Sequence, residues 1–495
     1  MRALLVYPQY PNTFWSFKYV LKFVSKRAAY PPLGLLTIAA MLPEAWEKRL
    51  TDMNVKPLKD KDLKWAEYVF ISAMITQKDS VREVVRRCGQ LKKKIVAGGP
   101  LFTTGYDEFE EVDHMILGEA EANFPRFLKD LEEEKAKRIY PAGQWPDISK
   151  TVIPLWDLIN MRHYAAILVQ YSRGCPFDCE FCDIPILNGR RPRTKEKAQF
   201  LKEFDAIYDH GWRGAVFVVD DNFIGNKGKA KKLLPEIIRW MTKRRYPFSL
   251  LAEVSLNLVD DEELIKLMVE AGFRRVFVGI ESPAEESLTE CNKYQNKNRD
   301  MMAAVKKIQN LGMEVQGGFI VGFDSDSPFI FDRQIKFIQE SGVVTAMVGL
   351  LNALPETKLY KRLKRECRLV ANSNGNNTDI SLNFTPKMDT KILINGYKKI
   401  LKNIYSHKKY YERIITFLKE YRPIRRGKLD FYDCMAFIKS IWFLGIIGKG
   451  KLYYWKLLFL SLFKYRRGFA EAVTLSIYGL HFRKVVRNLE SEKTV

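Results

Sequence analysis

Three cysteines stand together in one short run of the chain. SRGCPFDCEFCD places Cys175, Cys179 and Cys182 in a C-x3-C-x2-C array. Thiolates this close bind metal, and [4Fe–4S] clusters held by proteins usually take four of them. Three in one loop leave one iron without a protein ligand, an open position of the kind a catalytic zinc site keeps. Zinc is the competing reading. It would want a fourth Cys or His nearby, and the nearest histidines, His163 and His210, lack that spacing. Three unligated core cysteines in one loop is the weakest reading. The remaining cysteines are Cys88, Cys291, Cys367 and Cys434, seven in all. An odd number with three crowded together does not suit a secreted disulfide framework and fits a reducing cytoplasm. Lone cysteines are mostly small core hydrophobes. Cys291, in TECNKYQN, is kept as a minor catalytic candidate.

The elements that must position this loop follow from the pattern around it. With 495 residues, 47% of them hydrophobic, the chain is too long for one core and too apolar for disorder. Residues 1–145 alternate strand-like runs (ALLVY, YVFISAM, KKIVAGG, DHMILG) with helical ones such as LGLLTIAAML and SVREVVRRCGQLKKK. That is the βαβ pattern of a parallel, doubly wound α/β sheet. Ligands of such sheets sit at the carboxyl ends of strands, here Tyr7-Pro8, Ser72, Gly98-Gly99-Pro100 and Gly118-Glu119. A polar stretch with prolines, 132–154, reads as a linker.

Strand–helix alternation resumes at Tyr164 and continues to about residue 366. AAILVQYS, GAVFVVDD, FSLLAEVS, RRVFVGIES and EVQGGFIVGF are its strands, which suggests a full or partial (β/α) barrel over 160–366. Acids gather at the strand ends (Asp220, Asp221, Glu253, Glu281, with Ser255 and Ser282), where such barrels keep their chemistry. The bland reading of each is a solvated loop acid. Gly317 and Gly318 allow either a tight strand start or close approach of a ligand.

From 367 to 495 the strand signal stops. The turn cluster SNGNNT (373–378) opens a basic, aromatic, helical region. From Pro386 to Val495 there are 24 Lys and Arg against 8 Asp and Glu, so +16 of the formal +23 lies there. Ser440 to Tyr478 interleaves apolar and aromatic runs with Lys449, Lys451, Lys456, Lys464, Arg466 and Arg467. This suits an interfacial segment facing anionic lipid. It also suits a helical bundle with snorkelling cations. Nucleic acid fits less well with the long aliphatic runs. No run reaches the ~18 apolar residues of a membrane span, and MRALLVYPQYP lacks a signal-peptide core. The expectation is a cytoplasmic protein, peripheral on a membrane.

C-x3-C-x2-C with Phe181 before the last cysteine, at the end of a barrel's first strand, resembles the radical S-adenosylmethionine (SAM) superfamily over residues 165–365. The resemblance implies a [4Fe–4S] cluster on Cys175, Cys179 and Cys182 whose open iron binds SAM. It also implies reductive cleavage of SAM to a 5′-deoxyadenosyl radical, fed by an external flavodoxin- or ferredoxin-type electron donor. Asp221 in VVDDNF, Glu253 with Ser255, and Glu281 in GIES are then the expected SAM contacts.

Residues 4–125 resemble the cobalamin-binding domain of the B12-dependent branch, on YPPLGLLTIAAMLPE, VFISAMITQ, VAGGPLFT and ILGEAE. This implies cobalamin contacts at Ser72, Gly98, Gly99, Gly118 and Glu119. The family's D-x-H-x-x-G histidine is absent, since Asp52 is followed by Asn54, and the first 150 residues hold only His114. The alternative is a degenerate domain that only packs on the barrel. Methylthiotransferases need a second cysteine cluster ahead of the barrel, and only Cys88 is there. The whole chain resembles cobalamin-dependent radical SAM methylases, including hopanoid methylases. That implies methylation of an unactivated carbon of a hydrophobic, lipid or isoprenoid-like substrate. A radical cyclase or oxidative enzyme acting on a lipid or tetrapyrrole, and a non-catalytic cobalamin or Fe–S sensor, are the alternatives.

Overall fold

The computed structural model describes residues 1–376, 378–424 and 431–491. Asn377 of the turn cluster, and 425–430 and 492–495 of the basic tail, lie outside the described residues. The first sheet holds β1 (Arg2–Tyr7), β2 (Glu47–Asp52), β3 (Tyr68–Ser72), β4 (Lys94–Gly98), β5 (His114–Ile116) and β6 (Ile139–Tyr140) in the order β2-β1-β3-β4-β5-β6. Every neighbouring pair is parallel. Both faces are covered, which is why the strands read as unbroken apolar runs. Ala3, Leu5, Phe70 and Val96 pack under helices Leu33–Met41 and Ala120–Glu132. Leu4, Val6, Val69 and Ile71 pack under Lys78–Gln90 and its neighbours, with Cys88 in that core. From β1 the chain steps outward to β2 and then back to β3 on the other side. This reversal opens a crevice at the carboxyl ends of the strands.

The second sheet begins with β7 (Ala166–Val169). A two-residue ladder, β8 (Ser172–Arg173) against β9 (Arg193–Thr194), then frames the cysteine loop. Strands β10 (Gly214–Val218), β11 (Phe248–Val254), β12 (Phe273–Glu281), β13 (Glu314–Val321) and β14 (Ala346–Leu350) complete an all-parallel half-barrel in the order β14-β13-β12-β11-β10-β7. Burial alternates along β11: Leu250, Ala252 and Val254 are buried, while Ser249, Leu251 and Glu253 line the open inner face. Phe277 of β12 pairs with Gln316 and Gly279 with Gly318, so these continue the inner face.

The basic tail is helical, with no strand among the described residues. Its longer helices are Thr390–Ile404, His407–Glu420, Phe431–Ser440, Lys451–Phe463 and Phe469–Ser491. They close the exposed edge of the half-barrel. The Tyr405 and Tyr397 hydroxyls donate to the Ala346 and Val348 carbonyls of β14, at 2.5 and 3.2 Å. A covered edge cannot recruit another strand. Buried Arg413 donates to Gln339, Ile404 and Val344 oxygens. The bundle reading of the tail therefore holds for its inner side. Its outer side is taken up below.

Candidate functional site

The cysteine loop leaves β7 and is held at both ends by the two aspartates that follow β10. Asp220 accepts from the Tyr171 amide at 2.7 Å and from the Ser172 hydroxyl at 2.5 Å. Burial pushes its carboxyl up to about 7 despite those donors. Asp221 accepts from the Gly174 amide at 2.6 Å and from the Asn188 side-chain amide at 3.0 Å. Loop entry and loop exit thus share one carboxylate. Gly174 has φ +95°, and a side chain there would meet the Asn188, Gly189 and Arg191 carbonyls at about 3 Å. Only glycine suits such a position. Asp221, expected to contact SAM, clamps the loop through these bonds.

The donors around the thiols come from other strand ends. The Asn222 side-chain amide points at the Cys175 sulfur (3.9 Å), and that of Gln295 points at Cys179 (3.7 Å). Asn222 also donates to the Ser255 hydroxyl at 3.0 Å, which in turn donates to Asn257 at 2.6 Å. Lys293 lies 2.7 Å from Glu281. Burial alone would lower its pKa, but Glu281 and the thiols of Cys179 and Cys182 more than offset this and keep the ammonium charged. Burial raises the Cys175 and Cys182 thiols, and Lys293 pulls against it in both. Three thiols faced by amide N–H groups and one ammonium are suited to carry negative charge on sulfur. Among the described residues no three His, Cys, Asp or Glu side chains gather around a single metal ion. Three thiols in one loop with these donors fit a [4Fe–4S] cluster, which proteins hold on cysteine thiolates.

Glu281 takes φ +64°, rare for a side-chain-bearing residue. Its carboxylate folds back over Gly279, where a side chain would come within 3 Å of both Glu281 and Lys293. The glycine of GIES thus makes room for the acid two residues on. The Glu253 backbone carbonyl accepts from the Phe223 amide at 2.9 Å, while its carboxyl lies on the inner face. Burial, then Asp221 and Asp220, push it up to about 8, so it is largely protonated at neutral pH. Gly317 and Gly318 are filled from within: side chains there would meet Phe319 and Val343, and Phe277, respectively. Cys291 belongs to an apolar cluster with Phe323, Leu351 and Leu359, and its thiol faces the Leu288 carbonyl at 3.7 Å. Burial raises its thiol, with Lys293 pulling the other way.

A cavity of about 330 Å³ opens at the carboxyl ends of β3, β4 and β5. Ser72, Gly98, Gly99 and Gly118 line it on one side, and Gln170, Arg173 and Asn188 of the cysteine-loop region on the other. A side chain at Gly99 (φ +90°) would strike the Ser72 hydroxyl at 2.7 Å, and one at Gly98 would meet the Ile116 carbonyl at 3.0 Å. Glycines along this wall let a ligand approach the backbone closely, which fits part of a large ring or nucleotide such as cobalamin's. Glu119 does not line the cavity. Its carboxylate pairs with Arg173 (2.7 Å) and Arg193, while Glu121 takes the other face of Arg173 at 2.7 Å. Asn54 is spent on backbone. It accepts from the Tyr10 amide at 3.0 Å and donates to the Pro8 carbonyl and to Asp52. His114 lies at the amino end of β5, away from the cavity, with Nδ1 on the Lys137 carbonyl.

Asn222, Lys293, Gln295 and Arg173 were not read as site residues. Asn222 stands inside VVDDNF, and Lys293 and Gln295 inside TECNKYQN, the stretch noticed only for its cysteine. Their amide and ammonium groups were the available signal.

Three family matches divide the chain: the B12 binding domain over residues 24–128, the radical SAM superfamily over 169–329, and a domain of unknown function (DUF4070) over 357–494. An uncharacterized methyltransferase of Synechocystis sp. is 40% identical, over 98% of this chain and 93% of its own. A hopanoid C-2 methylase of Rhodopseudomonas palustris is 33% identical, over 92% and 88%. Among solved structures, the radical SAM methyltransferase TsrM from Kitasatospora setae, with cobalamin and a [4Fe–4S] cluster bound, has the same fold. It superposes with a TM-score of 0.64 at 15% identity, over 99% of this chain and all of that one.

Proposed function

The chain belongs to the family of cobalamin-dependent radical SAM methylases, and from that premise we propose that it methylates an unactivated carbon of a hydrophobic, lipid or isoprenoid-like substrate. Its cofactors are a [4Fe–4S] cluster, SAM and cobalamin. Together, when bound, they supply a carbon-centred radical from SAM and a transferable methyl group. Cys175, Cys179 and Cys182 would hold the cluster. Ser72, Gly98, Gly99 and Gly118 would seat cobalamin.

The observation that carries this reading is the shared wall. Arg173, two residues before Cys175, lines the glycine-lined cavity, so the thiol loop and that cavity are neighbours. Asp220 and Asp221 hold the loop in register with the half-barrel's inner face. Glu281, oriented by Lys293, offers a fixed carboxylate beside the thiols, suited to a ribose hydroxyl or an ammonium group. Protonated Glu253 can donate a hydrogen bond on that face without adding charge. The rest of the face favours an apolar substrate. Phe277 packs at a tilt against Trp15 at 4.8 Å, Tyr30 covers Phe217 at 5.7 Å, and Leu251 lies between Glu253 and Ser249. Aromatic walls exclude water and gain from burying a hydrocarbon ligand. The relative named a hopanoid C-2 methylase supports the same substrate class.

The test is anaerobic turnover with a low-potential chemical reductant, methyl-deuterated SAM and a hopanoid-containing lipid extract. The expected outcome is a lipid product heavier by one labelled methyl group, formed together with 5′-deoxyadenosine. Formation of 5′-deoxyadenosine with a ring-closed or oxidised, unmethylated product would overturn methylation.

A further inference from the structure

Exposed apolar side chains of the tail concentrate in one hairpin. Helix Phe431–Ser440 runs into a wider π-helical turn, Ile441–Ile446, and the chain returns as helix Lys451–Phe463. The inner side of this hairpin is packed and hydrogen-bonded. Leu444, Tyr454, Leu457 and Leu458 are buried, Ser440 and Tyr454 share a hydrogen bond at 2.7 Å, and the Trp455 indole donates to the Gly445 carbonyl at 2.9 Å. The outer side is the reverse. Trp442 is 56% exposed, Ile447 60%, Leu452 78%, Phe459 58% and Phe463 67%. Leu452, Phe459 and Phe463 follow one another at seven and four residues, so they share one outer helix face, with Lys456 among them.

A helix apolar on both sides belongs in a core or in a membrane. Thirteen residues give about 20 Å of helix, short of the ~30 Å hydrocarbon layer. Among the described residues no helix is long and apolar enough to cross a membrane. The interfacial plane remains. Charge selects the partner. From Cys434 to Ala470 there are seven Lys and Arg and no Asp or Glu, and Lys449, Lys451, Lys456 and Lys464 are exposed. A second copy would bring like charges together, whereas anionic headgroups complement them. The hairpin also touches the segment that reaches the half-barrel. Phe443 packs edge-on to Phe23 at 5.4 Å, and Lys439 donates to the Lys22 and Phe23 carbonyls. Trp15 of the same segment packs at a tilt against Phe277 of the inner face.

We propose that the hairpin 438–464 is a docking surface for an anionic lipid bilayer, lying in the interface plane with its aromatic and aliphatic side chains among the headgroups. It deepens the hydrophobic-substrate reading and rests on it for its purpose. Its test does not use that chemistry. The full chain is floated with phosphatidylcholine vesicles made with and without phosphatidylglycerol. It is expected to float with the anionic vesicles, less with the neutral ones and less at high salt. A Trp442→Ser/Leu452→Ser/Phe459→Ser/Phe463→Ser variant, altered only at exposed positions, is expected to bind more than about tenfold more weakly. Each of Lys449→Gln, Lys451→Gln and Lys456→Gln is expected to cost roughly fivefold on anionic vesicles alone. Iron content and 5′-deoxyadenosine formation in vesicle-free buffer should match the parent, which shows the variants are folded. Wild-type protein that stays at the bottom of a low-salt gradient overturns the proposal, as does undiminished flotation of the apolar variant. A wild-type dimer in vesicle-free buffer that the apolar variant dissolves to monomer would assign the surface to a second copy instead. Flotation with no lipid methylation would overturn the proposed reaction and leave the docking surface standing.

Discussion

Cys175, Cys179 and Cys182 are expected to act as a unit, because each is one corner of a ligand set that no other described cysteine can complete. Replacing all three by alanine should abolish cluster absorption after anaerobic reconstitution, together with all SAM cleavage. Four irons retained per chain would refute the assignment. Asn54 leads to a second expectation. Its side chain is saturated by Tyr10, Pro8 and Asp52, and His114 is at the wrong end of β5. Cobalamin should therefore bind with no protein histidine on cobalt. The Co(II) form should show no nitrogen superhyperfine splitting from the protein in its electron paramagnetic resonance spectrum, and such splitting, lost in His114→Ala, would contradict this. At this scale the sequence was informative where spacing itself is the chemistry, as in the thiol triad. It was less informative where a side chain's partner decides its role. Asp221 reads as a ligand acid until the Gly174 amide is seen on it, and that amide is 47 residues away.

Among elements, Arg173 is the more buried of two guanidiniums bracketing the two sheets, with Arg193 sharing Glu119. Arg173 on β8 divides its donors between Glu119 and Glu121, which begin helix Ala120–Glu132 of the first sheet's layer, with Gln170 on its Nε. All three charged side chains are largely buried, at 14%, 5% and 12% exposed. Removing one partner of a buried network leaves uncompensated charge, at about 3 kcal/mol or more. Arg173→Ala should lower the thermal unfolding midpoint accordingly, and adding Glu121→Gln should recover part of the loss. A shift no larger than that of an exposed pair such as Arg86–Glu83, whose side chains are 56% and 49% exposed, would show that the bracket is ornamental. The parallel strands themselves were legible, because sheets buried on both faces leave continuous apolar runs. The bracket was not, since ILGEAE and SRGC are joined only by a fold that brings residues 54 apart into contact. The ion pairs of Glu119 with Arg173 and Arg193 are therefore visible only in the fold.

For the whole molecule, acid is the relevant stress. His481 of helix Phe469–Ser491 is buried with Nε2 on the Thr13 and Phe14 carbonyls, at 3.1 and 3.0 Å. Burial holds it at about 4 in the folded state, against an ordinary 6.5, even though those carbonyls pull upward. The folded chain keeps it neutral. Its contribution is complete above pH 6.5 and is lost as pH falls from 6.5 toward 4, on the order of 3 kcal/mol in all. Unfolding midpoints measured across that window should fall more steeply for the parent than for His481→Gln, with His407, also held at about 4, accounting for part of the remaining slope. Parallel slopes would refute the assignment. The tail's basic, aromatic character was plain from composition, but not the fact that one side packs and the other does not, because both sides are written in the same residue types. The clasp between His481 and Thr13 also bears on how the chain folds. These residues are 468 positions apart, so the loop around Phe14 and Phe23 leaves the ribosome long before its cover does. Contacts this distant in sequence close slowly. During synthesis the first sheet can form while its aromatic loop stays bare, a surface prone to aggregation that chaperones would have to shield until the last helix docks.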